Sequence, residues 1–291
     1  MIDTTLRIVI YGLLTGGIYA LIAMGLSLQY GVARVLNIAH GEFIMLGAML
    51  TWALHTGFKM NPLLSLAVSG PLLFVIGFLI HRTLFKSLRT RAPSVAAFEG
   101  NSLLAAFGLL FAIQSIATLI WTANTRTYTY LNIGVEFAGT VYTVNRLVAL
   151  AVAVAASVVF YLFVTRSRLG KAIRAAAQDP ATAGLMGVNI DMVLAICFGL
   201  GAFLAGLAGL LISMYNALST TIGLNYTVIA LIVIVLGGLG SIPGSLIGGF
   251  ILGIIGSIII IRGDPSLSVV VYYGIFLILI LVRPAGILGK K

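Results

Sequence analysis

Two short segments place polar and ionisable residues, together with glycine and proline, between long apolar runs. In the first, between residues 29 and 43, the candidate path or gate residues are Gln29, Asn37, His40, Gly41 and Glu42. In the second, between residues 237 and 245, they are Gly237, Gly238, Gly240, Pro243 and Gly244. Ionisable groups at membrane depth are costly, and unwound backbone is tolerated there only beside protein or a watery cavity. The two segments therefore predict a transport path or its gate.

The charges of the first segment leave three interpretations open. Arg34, His40 and Glu42 could line a path or gate, could hold a structural joint between helices, or could relay protons. If the segment is a cytoplasmic loop, the same residues form a solvated linker with an internal ion pair. Histidines occur only at positions 40, 55 and 81, without the spacing of metal ligands, so we expect no metal site.

A basic stretch between residues 166 and 190 is too long for a simple turn between membrane helices. Residues 170–177 read as one helix. Asp179 and Pro180 then signal a new helix start, which Gly187 would end, so Pro180–Met186 should form a helix about 10 Å long. The candidate residues for contact with a soluble motor are Gly170, Lys171, Arg174, Gln178, Asp179, Pro180, Ala183, Gly184, Leu185, Met186 and Gly187. The alternative is a basic hairpin that lies on anionic lipid headgroups.

The chain shows no energy source or catalytic centre of its own. It contains no complete G-x-x-x-x-G-K-[ST] loop, no Gly-x-Ser-x-Gly elbow and no His-Glu-x-x-His. We therefore expect a protein that is not an enzyme and carries no cofactor. If ATP drives it, partner subunits bind the ATP and magnesium.

The elements that position these residues are membrane helices. With 60% hydrophobic and only 8% charged residues, the chain is predicted to be an all-α polytopic membrane protein. About eight or nine transmembrane segments are expected, some of them broken or re-entrant, in a single permease domain over residues 1–291. The candidate spans are 6–30, 40–58, 62–81, 102–123, 145–165, 191–215, 225–237, 244–261 and 268–283. The run 225–237 is too short to cross untilted, which suggests half of a broken or re-entrant helix.

Loop charges predict the sidedness of these spans. The chain has 17 lysines and arginines against 7 acids, and they lie in the gaps between spans rather than on one face, which argues against nucleic-acid binding. Three basic segments should be cytoplasmic: 82–91, 166–174 and the C-terminus with Arg283, Lys290 and Lys291. The 124–144 loop and the 262–267 loop, with Arg262 and Asp264, should be periplasmic. The N-terminus is then external and its first span retained, unless a re-entrant pair near residue 35 changes the count.

Glycine pairs and the two breaks suggest close helix packing and an internal repeat. Three pairs have the small-xxx-small spacing that lets helix backbones approach in lipid: Gly12 with Gly16, Gly244 with Gly248, and Gly249 with Gly253. Each break follows an apolar half-segment and leads into a glycine-rich helix. We interpret the breaks as corresponding parts of a loose repeat, either inverted or parallel.

The motifs together resemble a known family. The segments 16–27 and 37–43, the stretch from Gly170 to Gly187, the segment 237–244 and the closing segment 283–289 closely resemble the LivH-type permease of branched-chain amino-acid ABC transporters. The match covers nearly the whole chain, with the motifs in the expected order. It is more specific for the family than for the cargo.

The resemblance implies a subunit of a bacterial inner-membrane importer. Its expected partners are a homologous second permease (as a heterodimer or a homodimer), two cytoplasmic ATPases, a periplasmic binding protein and membrane lipid. The stretch 170–187 would correspond to the segment that contacts the ATPases. Leucine, isoleucine and valine are the favoured cargo, with urea, short amides and aromatic acids as alternatives. The competing function is a stand-alone secondary transporter or channel for small neutral solutes.

Overall fold

The computed structural model describes residues 2–137, 140–263, 267–283 and 286–288. The elements in chain order are α1 (Ile2–Ala33), α2 (His40–Phe58), α3 (Leu66–Ile80), a π-helical turn (His81–Phe85), α4 (Lys86–Arg91), α5 (Val95–Trp121), β1 (Gly134–Phe137), β2 (Thr140–Thr143), α6 (Val144–Arg166), α7 (Arg168–Gln178), α8 (Pro180–Leu185), α9 (Ile190–Ser213), α10 (Gly223–Gly237), α11 (Ile242–Arg262) and α12 (Leu267–Val282). Among these residues, 6 helical stretches are long and apolar enough to cross a membrane. The expected helical membrane class is confirmed.

Two regions differ from the sequence prediction. The basic segment 82–91 is not a loop, because α3 continues through the π-helical turn into α4. On this continuation the ammonium group of Lys86 pairs with the Asp191 carboxylate of α9 at 2.8 Å. The 124–144 segment, in turn, contains an antiparallel hairpin of β1 and β2, in which Val135 faces Tyr142. The prediction of an all-α chain therefore omitted this short β-hairpin. Pro284, Ala285, Gly289, Lys290, Lys291 and Asp264 lie outside the described residues.

Two of the three predicted glycine pairs, Gly12 with Gly16 and Gly249 with Gly253, lie at the crossing between α1 and α11. A Cβ atom added at Gly253 would meet the backbone of Gly12 and Gly16, and one added at Gly249 would meet the backbone of Ala20. Gly244 instead faces Gly237 of α10. Small residues let these backbones touch, which in lipid supplies the packing that apolar contact alone cannot. The prediction that these glycines pack helices is confirmed.

The helix α2 begins inside the molecule rather than next to the end of α1. The Nε2 atom of His40, its first residue, lies 3.1 Å from the carbonyl oxygen of Ile22 in α1. Ile22 is about 17 Å back along the helix axis from Ala33, at the end of α1. Residues 34–39 therefore run back beside α1 without forming a helix, and α2 continues in that direction until its His55 packs against Tyr128. The segment 34–58 thus passes from the end of α1 at Ala33 toward the other end of the molecule rather than turning back.

The helix α10 is short because it starts inside the molecule, at the level where α2 begins. Its first residue, Gly223, packs against the Glu42 carboxylate near the start of α2, and its last residue, Gly237, packs against Gly244. A helix of 15 residues is about 22 Å long, less than the ~30 Å hydrocarbon core of a bilayer. The expectation that this helix is too short to cross a bilayer untilted is confirmed.

The two ends of the molecule are built from different segments. At one end, Arg34 shares a cavity with Arg174 of α7 and Leu288 of the closing segment. At the other end, residues 127–132 share a cavity with residues 214–217. The helix α6 runs between the two ends, a length of about 33 Å, so the ends are separated by a membrane thickness.

Candidate functional site

A polar network fixes the unwound segment between α1 and α2. The side-chain amide of Asn37 donates to the Gln29 side-chain oxygen at 3.1 Å, and the Gln29 amide donates to the Phe198 carbonyl oxygen of α9 at 3.3 Å. The Asn37 side-chain oxygen accepts the backbone N–H of Ala39. Because Gln29 and Asn37 are both fully buried, the network satisfies polar groups that water does not reach. The contacts are those of a structural helix joint.

The side chain of Thr227 in α10 hydrogen-bonds to the backbone on both sides of the start of α2. The Thr227 hydroxyl accepts the backbone N–H of Gly41 at 2.9 Å and donates to the carbonyl oxygen of Ile38 at 2.9 Å. A Cβ atom at Gly41 would collide with the Gly223 carbonyl oxygen. The start of α2 therefore needs glycine at position 41 and threonine at position 227.

The side chains of His40 and Glu42, at the start of α2, are shielded from solvent. Both side chains are fully buried, and within the described residues Nδ1 of His40 and both carboxylate oxygens of Glu42 have no hydrogen-bond partner. The alternative of a solvated linker with an internal ion pair is therefore wrong for His40 and Glu42. Neither residue lines one of the cavities described below.

The second break lies at the end of the molecule that also contains α7. Gly240, at φ 78°, approaches Gly31 of α1 so closely that a Cβ atom on Gly240 would be 2.9 Å from the Gly31 Cα. Ser241 caps α11 by accepting the N–H of Gly244 at 3.1 Å, with Pro243 in the first turn. The breaks predicted as counterparts thus meet at Gly31 and Gly240.

The closing segment completes this break. The backbone N–H groups of Ile287 and Leu288 donate to the carbonyl oxygens of Leu236 and Gly237, at 2.9 and 3.0 Å. These carbonyl groups end α10 and have no partner within the helix. The segment 286–288 is therefore a cap that holds the break around Gly238 in place.

The predicted coupling stretch forms two short helices. The Asp179 carboxylate caps α8 by accepting the N–H groups of Ala181 and Thr182 at 2.9 and 3.2 Å. Gly187 follows at φ 86°, the left-handed conformation that ends a helix. The prediction of a separate helix from Pro180 is confirmed, with its end at Leu185 rather than Met186.

Three residues of this stretch pack against other parts of the chain. The Arg174 guanidinium donates to the Val164 carbonyl oxygen at the end of α6, and Gly170 leaves no room for a side chain beside the same carbonyl. Ala183 is buried within the chain rather than free to enter a groove. Leu185 and Met186, by contrast, are 89% and 82% exposed. The exposed surface of this stretch therefore includes the tip of α8 at Leu185 and Met186, and the predicted residues Lys171, Gln178, Asp179, Pro180, Gly184 and Gly187.

The electrostatics of α8 depend on its cap. Hydrogen bonds from the Thr182 side chain and backbone, followed by that from Ala181, lower the pKa of the Asp179 carboxyl group from its ordinary value. Because the folded-state pKa is lowered, the cap stabilises α8 at neutral pH and weakens as acidification protonates Asp179.

Sequence reasoning missed a cavity at the opposite end of the molecule. It has a volume of about 390 Å³ and lies between the 124–144 segment and the connection from α9 to α10. Arg146, Tyr215 and Asn216 also line an adjoining cavity of about 190 Å³. The local signal was the polar run 215–221 after an apolar span, which could have marked a break.

The sequence model of one family covers nearly the whole chain. That family is described as "Branched-chain amino acid transport system / permease component", and it matches residues 8–280. This chain belongs to that permease family. It is 32% identical to the high-affinity branched-chain amino acid transport system permease protein BraD of Pseudomonas aeruginosa, over 98% of this chain and 96% of BraD. It is 30% identical to LivH of Escherichia coli K12, over 96% of this chain and 94% of LivH.

A solved structure supports the fold. The chain resembles PsaBC from Streptococcus pneumoniae, solved in complex with Fab, with a TM-score of 0.50 and 13% identity over 94% of this chain and 91% of that one. This permease is a multi-pass protein of the inner membrane, and its family consists of transport subunits rather than enzymes. The match favours an importer subunit over a stand-alone secondary transporter or channel.

Proposed function

We propose that this permease carries branched-chain amino acids across the bacterial inner membrane in an ATP-driven importer. The observation that carries the proposal is the family match over residues 8–280, together with near-full-length similarity to BraD and LivH. Residues 1–291 would form one permease domain. It would pair with a second permease, identical or homologous, and work with two cytoplasmic ATPases and a periplasmic binding protein.

The end of the molecule that contains α8 would face the cytoplasm. Arg89 of α4, Arg174 of α7 and Arg283, whose guanidinium donates to the Ile287 carbonyl oxygen, lie at this end, which agrees with the positive-inside rule. The 124–144 segment would then cover the periplasmic end. In this orientation the apolar helices of the described residues (α1, α2, α3, α5, α6, α9, α10, α11 and α12) would give eight or nine membrane segments, with α2 and α10 starting within the bilayer.

The coupling helix would be α8, and the 166–190 segment would be the region that the ATPases contact. Leu185 and Met186 offer apolar side chains at its tip, and the Asp179 cap keeps the helix formed. ATP and magnesium would bind only to the partner subunits. Closure of the ATPases would push α8 and, through α7, the cavity at Arg34 and Gly240.

The breaks would be the places where the membrane domain bends. Gly31 and Gly240 touch beside α7, so a displacement of α7 reaches both broken segments. The joint at Gln29, Asn37, His40, Gly41 and Glu42 would act as a rigid support, and the 237–244 break as the hinge or gate. The support for this division is the dense hydrogen bonding of the first segment.

Gly184→Trp tests the coupling assignment. Position 184 is exposed, and an added Cβ atom meets only a side-chain carbon of Ile190 at 3.9 Å, so the bulky residue should not disturb the fold. In proteoliposomes that contain the complete importer, we expect leucine uptake to fall at least about tenfold and the ATPases to dissociate more easily. Both effects follow from an indole inserted into the contact.

Gly57→Trp is the matched control. Gly57 is exposed, has open space around it and lies near the opposite end of the molecule. Uptake should be close to that of the unsubstituted protein. Normal uptake and normal ATPase binding with Gly184→Trp would contradict the coupling role of α8. Leucine uptake by this subunit alone, without ATPases, would instead support the secondary-transporter alternative.

A further inference from the structure

The two connected cavities at the end opposite α8 combine one cation with an apolar wall. The Arg146 side chain lies at their junction, with its guanidinium carbon 5.3 Å from the Tyr215 ring centroid. Among the described residues Arg146 forms no ion pair, since the pair found there joins Lys86 and Asp191. A half-buried arginine in a cavity without a counter-ion is suited to bind an anionic group.

A second unpartnered donor lines the same space. Tyr142 is only 2% exposed, and its hydroxyl has no hydrogen-bond partner in the part of the chain that the structure describes. Its ring packs against Tyr11 with 5.1 Å between the centroids, so the side chain is held in place. A buried hydroxyl without a partner is costly, and a ligand that accepts a hydrogen bond from it would remove that cost.

The smaller cavity supplies the apolar side. Its wall contains Leu14 and Ile18 of α1, Ile212 of α9 and Ile260 of α11, next to the shared Arg146. A ligand that fits both cavities therefore has a carboxylate at one end and a short aliphatic chain at the other. Neither cavity is lined by an acidic residue.

We propose that the paired cavities around Arg146 form a cargo site, in which Arg146 and Tyr142 bind the α-carboxylate and the wall on α1, α9 and α11 receives the aliphatic side chain. The inference rests on the proposed cargo and deepens it. Tyr226, which lines the smaller cavity, is followed by Thr227, whose hydroxyl bonds α10 to the Ile38 carbonyl oxygen of the unwound segment before α2. Cargo in the site would therefore contact Tyr226 in the first turn of α10.

Cysteine protection tests the site without relying on transport. In a Cys197→Ala background, Asn216→Cys places a thiol where the two cavities meet. The rate of its modification by a cationic methanethiosulfonate is measured on the complete importer in proteoliposomes. Leucine and isovalerate, which carry carboxylates, should slow the reaction, whereas leucinamide, which lacks one, should not. Gly57→Cys, outside both cavities, should react at the same rate with every ligand.

Substitutions of Arg146 and Tyr142 then test which side chains donate hydrogen bonds to the carboxylate. With Arg146→Gln, the leucine concentration that half-protects the thiol should rise at least about tenfold, because a charge-assisted hydrogen bond is lost. Arg146→Lys should restore part of the protection, and Tyr142→Phe should weaken protection by a smaller factor. A purely structural role for Arg146 would instead lower the melting temperature and leave protection in the folded fraction unchanged.

The outcomes separate this site from the general function. Equal protection by leucinamide, or full protection in Arg146→Gln, would overturn the carboxylate assignment. Absence of protection in a complex that accumulates leucine would overturn the site and leave the proposed function intact. A complex that protects the thiol with leucine but does not accumulate leucine would support the site and contradict the importer assignment.

Discussion

At the scale of single residues, the residues that were conspicuous in the sequence differ from those that make the long-range contacts in the structure. His40 and Glu42 stood out in the sequence as ionisable groups in an apolar context, and they are fully buried beside the joint. Thr227 and Arg146 did not stand out, because one hydroxyl in an apolar helix or one arginine at a helix start has no local pattern. Their importance comes from contacts with residues far away in the chain, such as Ile38 and Tyr215.

The hydroxyl of Thr227 gives the prediction at this scale. Thr227→Val keeps the shape but leaves the Gly41 N–H and the Ile38 carbonyl without their partner. An unsatisfied buried group costs about 1–3 kcal/mol, so we expect a clearly lower melting temperature in detergent. Thr56→Val is the control, because that hydroxyl is exposed and bonds only to the Trp52 carbonyl within its own helix. Equal melting temperatures for the two variants would show that the joint does not depend on Thr227.

At the scale of elements, hydropathy located the helices well and their ends poorly. The helix α5 begins at Val95, before the predicted 102, since Ser94 caps it and Glu99 and Asn101 lie on exposed positions of its first turns. The unwound segment 34–39 and the connection 214–222 were harder to predict. Their depth is set by packing against other helices, which a hydropathy window does not contain.

The crossing of α1 and α11 gives the prediction for elements. Gly253→Leu would force a side chain into the backbone of Gly12 and Gly16, so the two helices would have to separate. Overpacking costs typically ~1–3 kcal/mol and more where backbone must move. We expect most of the protein to aggregate on extraction into mild detergent, measured by fluorescence-detected size-exclusion chromatography.

Gly108→Leu is the control for this crossing. Gly108 lies in α5 with open space around its Cα, so a leucine there changes helix propensity and apolarity in the same way without a collision. This variant should elute as the unsubstituted protein does. Similar elution of the two leucine variants would mean that close contact between α1 and α11 is not required.

At the scale of the whole molecule, charge and geometry agree on two distinct ends. The sequence predicted three basic segments on one side, and Arg34, Arg89, Arg174 and Leu288 do gather around neighbouring cavities. Loop charge could not predict that the 124–144 segment is a packed cover. Arg126 of that segment exchanges backbone hydrogen bonds with Leu218 at 2.7 and 2.8 Å and stacks over Trp52. Such a contact depends on the complete fold.

Sidedness gives the prediction for the whole molecule. In a Cys197→Ala background, single cysteines replace Leu185 at the tip of α8 and Val141 in β2, which are 89% and 59% exposed. If α8 is cytoplasmic, a membrane-impermeant maleimide added to intact spheroplasts should label position 141 at once and position 185 only after permeabilisation. The reason is that about 30 Å of hydrocarbon separates the two ends of this permease. Labelling of position 185 in intact spheroplasts would place α8 in the periplasm, and no cytoplasmic ATPase could then drive transport through it.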